Sequence, residues 1–343
     1  MDTVSTALVI AGGGAKGAFA VGAIRRLYER YRDDGWFSIV GGSSTGAIIA
    51  PFAALLGTEE AQLRGRVLED LVTVYSTVRT QDILSRHGPV ESLVRRHSLN
   101  ETDPLEAMLE RYLTVEYFDV LRRPTTATAF VVYTNFNTGD AVRVTSKDVG
   151  IDRGAFIRAI LASASVPVVM EPTIINGAWC YDGGARDVLP MMQAIEMGAE
   201  VIVPILLDPK RLPPVEKPLS RIDRVLYRAV AIMLDEILLN DYEMAAMVQR
   251  GVRLREALRR EFAGRPRIRR RIERILDDPE LEPLLGDSKQ VRRIVPGIRP
   301  PEGFTGNGLR FDPEQMKEWM AQGAAAADLA VTRSPFDDRI GTR

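Results

Sequence analysis

The chain has 343 residues, enough for one large α/β domain with an insertion or for two smaller domains. Hydrophobic residues make up 45% of it and the formal net charge is -1, so the composition supports a large core without the basic field of a nucleic-acid-binding protein. A single cysteine excludes an intramolecular disulfide. Two histidines and one cysteine also disfavour the usual zinc sites, and we expect neither a metal nor a cofactor.

The N-terminal segment lacks the features of a secretory signal. Asp2 stands where such a signal is basic, and the apolar run 7–11 is too short for its hydrophobic region. No stretch reaches the roughly 18 apolar residues of a membrane-spanning helix. The sequence therefore predicts a cytoplasmic protein, with peripheral contact to a membrane left open.

Apolar strands alternate with helices at the start of the chain. Predicted strands at 6–11 and 36–40 lead into glycines, and helices are predicted at 15–32 and 46–56. Continuous apolar strands of this kind are typical of a parallel sheet that is buried on both faces. The later predicted elements are helices within 58–121, a hairpin of 126–134 and 141–145, a helix at 154–164, a strand pair within 173–181, a helix at 189–198 and a strand at 200–207.

The composition changes after residue 209. Residues 210–220 are proline-rich, 221–276 have the composition of long helices, and a final helix is predicted at 313–330. The predicted organisation is an α/β core at 1–207, a helical and arginine-rich insertion at 208–303, a C-terminal helix returning to the core within 304–330, and a flexible tail at 331–343.

The second glycine-rich corner has the pattern G-x-S-x-G. In a nucleophile elbow, a sharp turn from strand to helix exposes the hydroxyl of the central serine, here Ser44, and small neighbours prevent clashes. The positive end of the following helix favours an oxyanion at this point. A glycine-rich turn required only for packing is the alternative. The elbow residues flanking Ser44 are Gly42, Ser43, Thr45 and Gly46.

The first glycine-rich corner has two interpretations. The backbone N–H groups of Gly13 and Gly14 could form an oxyanion hole, or the pattern G-x-G-x-x-G could bind a dinucleotide. A dinucleotide site needs an acid at the end of the second strand, but Asp33 and Asp34 precede that strand. The oxyanion hole is therefore favoured. The corner consists of Gly12, Gly13, Gly14, Ala15, Lys16 and Gly17.

A serine nucleophile needs a base. In elbow folds with a histidine base, that histidine follows the serine and the acid along the chain. Here the only histidines are His87 and His97, and no histidine follows residue 97, so the base is expected to be a carboxylate. Asp182 follows a predicted strand and precedes Gly183 and Gly184, which makes it the best candidate. An Asp-Gly turn alone would be the commoner explanation.

Taken together, these motifs resemble those of patatin-like phospholipases. Segments 162–167 and 183–190 also resemble that family's blocks before and after its catalytic aspartate. The resemblance implies a three-layer α/β/α fold with a mostly parallel central sheet, to which the helical insertion is added. It implies hydrolysis of lipid acyl esters, of the phospholipase A or lysophospholipase type, with Ser44 as nucleophile, Asp182 as base and 12–17 as oxyanion hole. Asp187 stands where the family often has Asn.

The insertion has two interpretations. Its arginines could contact anionic lipid head groups, or they could form a solvated face paired with the acidic run at 277–287. Two other functional classes stay open for the whole chain: a nucleotide-binding oxidoreductase that uses 12–17, and a catalytically idle protein that binds a membrane or a partner. The arginines are Arg265, Arg267, Arg269, Arg270, Arg271 and Arg274.

Overall fold

The computed structural model describes residues 4–86, 100–212, 214, 222–281 and 290–336. Eight strands form one mixed sheet, and two short strands pair separately. The strands of the large sheet are β1 (Thr6–Ile10), β2 (Ile39–Ser43), β5 (Thr128–Asn135), β6 (Asp140–Thr145), β7 (Thr173–Ile175), β8 (Ala178–Asp182), β9 (Val201–Ile205) and β10 (Arg293–Ile294); the separate pair is β3 (Ser85–Arg86) and β4 (Asn100–Glu101).

Helices flank this sheet and give the α/β/α architecture that the resemblance implies. Two single-turn 3-10 helices, Gly14–Lys16 and Gly183–Ala185, occupy the two loops of the candidate site. The α-helices are α1 (Gly17–Tyr31), α2 (Thr45–Leu55), α3 (Ala61–Thr77), α4 (Thr80–Ile83), α5 (Asp103–Tyr112), α6 (Val115–Leu121), α7 (Arg153–Ala164), α8 (Met191–Glu196), α9 (Ile222–Glu261), α10 (Pro266–Leu276) and α11 (Pro313–Ala330).

The strand order β10-β9-β1-β2-β5-β8-β7 determines which loops meet. Strands β10, β9, β1, β2 and β5 are parallel, so their C-terminal ends share one edge, while β8 runs antiparallel to β5. Ile10 lies beside Gly42, Ser43 beside Val132, and Tyr133 beside Asp182. The register alone therefore brings the ends of β1, β2 and β8 to the same crevice.

The second strand differs from its predicted position. It was predicted at 36–40, but β2 begins at Ile39 and continues through the glycines to Ser43. Trp36 instead packs edge-on against Phe37 and Tyr28, and its indole N–H donates to the Ala53 carbonyl at 2.7 Å. The aromatic pair thus closes the loop before the strand rather than starting the strand.

The C-terminal helix packs tightly on the first helix. A Cβ at Gly22 of α1 would lie 1.9 Å from the Met320 carbonyl oxygen, and a Cβ at Gly323 of α11 would lie 1.9 Å from the Phe19 carbonyl oxygen. Arg26 and Asp328 form an ion pair across this contact at 2.9 Å. Helix α11 has the bounds predicted for the final helix. One glycine in each of the two helices allows their axes to approach closely.

The predicted insertion contains two helices and one core strand. Helix α9 has 40 residues and α10 follows it, whereas β10 lies inside the range 208–303 and extends the main sheet beside β9. The chain is therefore back in the sheet by Arg293, ten residues before the predicted end of the insertion. The tail was predicted to be flexible at 331–343, but its described part packs on the core: Val331 is fully buried and Phe336 contacts Phe37 edge-on. Residues 337–343 lie outside the described residues.

Candidate active site

Ser44 occupies the sharp turn between β2 and α2. Its backbone has φ 55° and ψ -123°, a combination that is costly for a residue with a side chain. The neighbouring glycines make the turn possible, because a Cβ at Gly42 would lie 2.5 Å from the Ile10 carbonyl oxygen and one at Gly46 would lie 2.3 Å from the same atom. The G-x-S-x-G pattern therefore forms a strained elbow at the N-terminus of a helix.

Two serines of α7 and the loop after it support the elbow and the candidate base. The Ser44 backbone N–H donates to Ser163 Oγ at 3.0 Å, and the Ser163 hydroxyl donates to the Val132 carbonyl. The Ser165 carbonyl accepts from the Asp182 N–H at 2.8 Å. The segment 162–167 is thus a brace that contacts both Ser44 and Asp182.

The Asp182 carboxyl lies buried at the end of β8, next to Ser44. The backbone N–H of Gly184 donates to Asp182 Oδ1 at 2.7 Å. Burial raises the pKa of Asp182 to about 6, while hydrogen bonding with the Ser44 side chain and with Gly184 lowers it. The carboxyl therefore lies within hydrogen-bonding range of the Ser44 hydroxyl, and its pKa is raised toward neutrality.

The backbone donors of the 12–17 loop divide into used and unused groups. The N–H of Gly12 donates to the Val188 carbonyl at 3.0 Å, and the N–H of Ala15 donates to Gly308 at 2.7 Å. The N–H groups of Lys16 and Gly17 also have backbone acceptors. Within the described ranges only the N–H groups of Gly13 and Gly14 in this loop have no acceptor, which singles out these two as donors for a ligand.

The shape of this loop depends on the C-terminal segment. Gly14 has φ 58°, and a Cβ there would lie 2.1 Å from the Gly308 carbonyl oxygen. Gly308 in turn lies so close to Gly13 that its own Cβ would be 2.5 Å from the Gly13 carbonyl oxygen. The two segments therefore fit together only because both positions lack side chains.

An apolar cavity opens at Ser44 and encloses about 550 Å³, part of it open to solvent. Aliphatic and sulfur-containing side chains of α2, α3, α5 and the C-terminal segment form most of its wall. A second cavity, of about 280 Å³ including space open to solvent, shares part of this wall. The residues that line both cavities are Ile48, Val74, Tyr75 and Met108.

The family model for patatin-like phospholipases matches residues 8–195, more than half of the chain. The chain belongs to the patatin-like phospholipase family. Membership places it among lipid hydrolases. Among solved structures, the crystal structure of VipD from Legionella pneumophila is similar at 14% sequence identity with a TM-score of 0.38; the match covers 96% of this chain and 67% of that one.

The structure brings the two motifs of this patatin-like chain and its Asp-Gly-Gly loop to one crevice. The arginine cluster does not join them: it lies on α10 and at the residue before it, with its side chains exposed. Asp33 and Asp34 lie between α1 and β2, away from the end of β2, so they do not supply the acid that a dinucleotide site needs. His87 and His97 lie outside the described residues.

Three contributors were missed from the sequence. The role of Ser163 was not recognised, although its segment was noted; Gly308 and Asp241 carry no local pattern that marks them. Across the described ranges, no group of three or more His, Cys, Asp or Glu residues is arranged to hold a metal ion. No helix in the same ranges combines the length and hydropathy needed to cross a membrane.

Proposed function

We propose that this patatin-like chain hydrolyses carboxylic esters of lipids, of the phospholipase A or lysophospholipase type, through a Ser44–Asp182 dyad. The observation that carries the proposal is the hydrogen bond between a buried carboxyl and the hydroxyl of a strained serine at the N-terminus of a helix. Two backbone donors without acceptors, at Gly13 and Gly14, belong to the neighbouring loop. Nucleophile, base and oxyanion donors are the three parts that acyl transfer requires.

The reaction has two halves. Asp182 accepts the Ser44 proton as Ser44 Oγ attacks the ester carbonyl, and the N–H groups of Gly13 and Gly14 stabilise the resulting oxyanion. The intermediate collapses to an acyl-serine, and the alcohol leaves with the proton held by Asp182. Water then attacks the acyl-serine while Asp182 accepts its proton, which releases the fatty acid and restores the Ser44 hydroxyl.

The apolar cavity indicates the acyl part of the substrate. Its walls offer almost no polar partner, so a hydrocarbon chain is the ligand that loses least by entering it. The Thr45 and Tyr75 hydroxyls form a hydrogen bond with each other, so this part of the wall needs no polar group from a ligand. We therefore assign the cavity to the fatty-acyl chain.

A fluorophosphonate probe tests the proposed function directly. The probe should form a covalent adduct with the wild-type protein, and peptide mapping should place the adduct on Ser44. The variant Ser44→Ala should remain unlabelled, while Ser43→Ala should keep labelling because Ser43 Oγ is buried. An adduct on another residue, or none with folded wild type, contradicts the dyad.

The pH dependence should report the state of Asp182. Only the ionised carboxyl accepts a proton, and its pKa is about 6. With a soluble nitrophenyl ester, kcat/KM should be level above about pH 7 and fall about tenfold for each pH unit below 6. A rate that stays level down to pH 5 would show that another group is the base.

The acyl cavity should decide chain-length preference. Met108 borders both cavities, and Met108→Trp should fill their junction. We expect kcat/KM for esters of long acyl chains to fall at least about tenfold, with esters of two to four carbons changed by less than about twofold. Met244→Trp, at an exposed position on α9, is the matched control. Equal losses for short and long chains would contradict the assignment.

We further propose that the insertion contacts anionic membranes. Helix α10 carries five of the six arginines predicted for this role, with Arg265 directly before its first residue, together with the exposed Ile268 and Ile275. None of the six forms an ion pair with another described residue, whereas Arg255 and Arg259 of α9 pair with Glu273. A basic helix with exposed apolar side chains is suited to the interface of an anionic bilayer.

Vesicle binding tests the membrane proposal. Replacing Arg267, Arg269, Arg270 and Arg271 with Gln should weaken binding to anionic vesicles by more than about tenfold at low salt. The same four positions changed to Lys keep the charge and should bind within about threefold of wild type. Hydrolysis of a soluble ester should be unchanged in both. Wild-type binding by the Gln variant would show that the cluster is structural.

A further inference from the structure

The long helix of the insertion contacts the loop that follows Asp182. The N–H of Leu189 donates to Asp241 Oδ2 at 2.9 Å, and the N–H of Val188 also hydrogen-bonds this carboxyl. Asp241 lies in the middle of α9. One carboxyl of the insertion therefore accepts two successive backbone donors of the catalytic core.

The same loop holds the oxyanion segment. The Val188 carbonyl accepts the Gly12 N–H at 3.0 Å, and Gly12 directly precedes the two unused donors. Leu234 lies two helical turns before Asp241, on the same side of α9, and would be 3.5 Å from a Cβ at Gly184. Helix α9 therefore contacts both ends of the segment 184–189, next to Asp182 and next to Gly12.

A second carboxyl faces Asp241 within this contact. Partial burial, followed by the charge of Asp241, raises the pKa of Asp187 to about 7; Glu196 raises it too, and a hydrogen bond with Gln193 lowers it. Burial raises the pKa of Asp241 to about 6, although the hydrogen bonds from its two N–H donors lower it. Arg143 of β6 hydrogen-bonds Gln193 at 3.1 Å and Glu196 at 3.4 Å, which brings a positive charge to this group.

We infer that Asp241 is a positioning residue for the oxyanion donors. It holds 188–189, and through the Val188 carbonyl it keeps Gly12, and therefore Gly13 and Gly14, aligned with Ser44. Asp241 touches no substrate and acts only through this hydrogen-bonded path. The insertion is then a working part of the active site, and the inference rests on the proposed function of that site.

Steady-state kinetics on a soluble nitrophenyl ester test the inference with three variants. Asp241→Ala removes the acceptor and should lower kcat at least about tenfold with KM within about twofold, because oxyanion donors act in the transition state. Asp241→Asn keeps one acceptor oxygen and should fall between wild type and Ala. Glu243→Ala, an exposed carboxyl on the same helix, should match wild type.

Hydrogen exchange of the peptide that contains 12–17 supplies a second readout. Exchange should be faster in Asp241→Ala and Asp241→Asn than in wild type or Glu243→Ala, because the segment loses its hold on Gly12. If Asp241→Ala does not fold, the exchange rate of this peptide in Asp241→Asn is the deciding measurement. A rate equal to that of wild type overturns the inference.

The kinetic outcomes separate this inference from the proposed function. A folded Asp241→Ala that keeps kcat within about twofold, in a protein labelled at Ser44, overturns the positioning role alone. A raised KM with unchanged kcat overturns it as well. If folded wild type is neither labelled nor active on any ester, the proposed function fails first.

Discussion

Ser44→Ala and Asp182→Asn should each lower kcat/KM by at least about 10⁴-fold on any ester that the wild type hydrolyses. The first removes the atom that forms the acyl bond, and the second removes the acceptor for its proton. The double variant should be hardly slower than either single variant, because nucleophile and base act as one unit. Steady-state kinetics of all three proteins provide the test.

The stability of these variants separates catalysis from folding. Asp182 is buried and its pKa is raised, so its ionised form destabilises the fold at neutral pH. This destabilisation disappears at low pH, where the carboxyl is protonated. At pH 8, Asp182→Asn should therefore unfold at the same temperature as wild type or at a higher one. The free energy of unfolding should rise by at most about 3 kcal/mol. If the losses in kcat/KM of the two single variants multiplied in the double variant, the two residues would not share one mechanism.

Gly14→Ala should lower kcat/KM by about 10² to 10³-fold. The added Cβ would lie 2.1 Å from the Gly308 carbonyl oxygen, so the loop must move and its N–H groups leave the place where the oxyanion forms. The positive φ adds a conformational cost of about 1 to 2 kcal/mol. Kinetics and thermal unfolding, measured on the same preparation, give both effects.

Gly139→Ala is the matched control for this variant. Gly139 also has a positive φ, 82°, but a Cβ there meets nothing within 4 Å. It should share the conformational cost and keep the activity. If Gly14→Ala were as active as Gly139→Ala, the 12–17 loop would not supply the oxyanion donors.

Local motifs made the centre of the site predictable. Ser44 and Asp182 stand beside glycines that follow strands, and such corners leave a pattern within five residues. The parallel order of β1 and β2 then brings the corners together. Fold class was predictable for the same reason, since buried parallel strands and the helices between them each leave a periodic signal.

Long-range partners left no comparable signal. Asp241 meets Leu189 across 52 residues, and on its own helix it is one polar residue beside an apolar stripe. Gly308 lies in a segment that resembles an ordinary loop, and its importance for the site comes from its backbone contact with Gly14. The start of β2 was misplaced because aromatic residues that close a loop resemble the beginning of a strand.

The contact between Gly14 and Gly308 also determines when, during synthesis, the 12–17 loop can take its final shape. A chain still being synthesised exposes its candidate nucleophile long before residue 308 leaves the ribosome. Until then the 12–17 loop lacks the carbonyl that accepts the Ala15 N–H, and α1 lacks the helix that packs on it. The candidate nucleophile is therefore made well before the loop beside it can take its final shape, so the site is completed only after residue 308 has joined the fold.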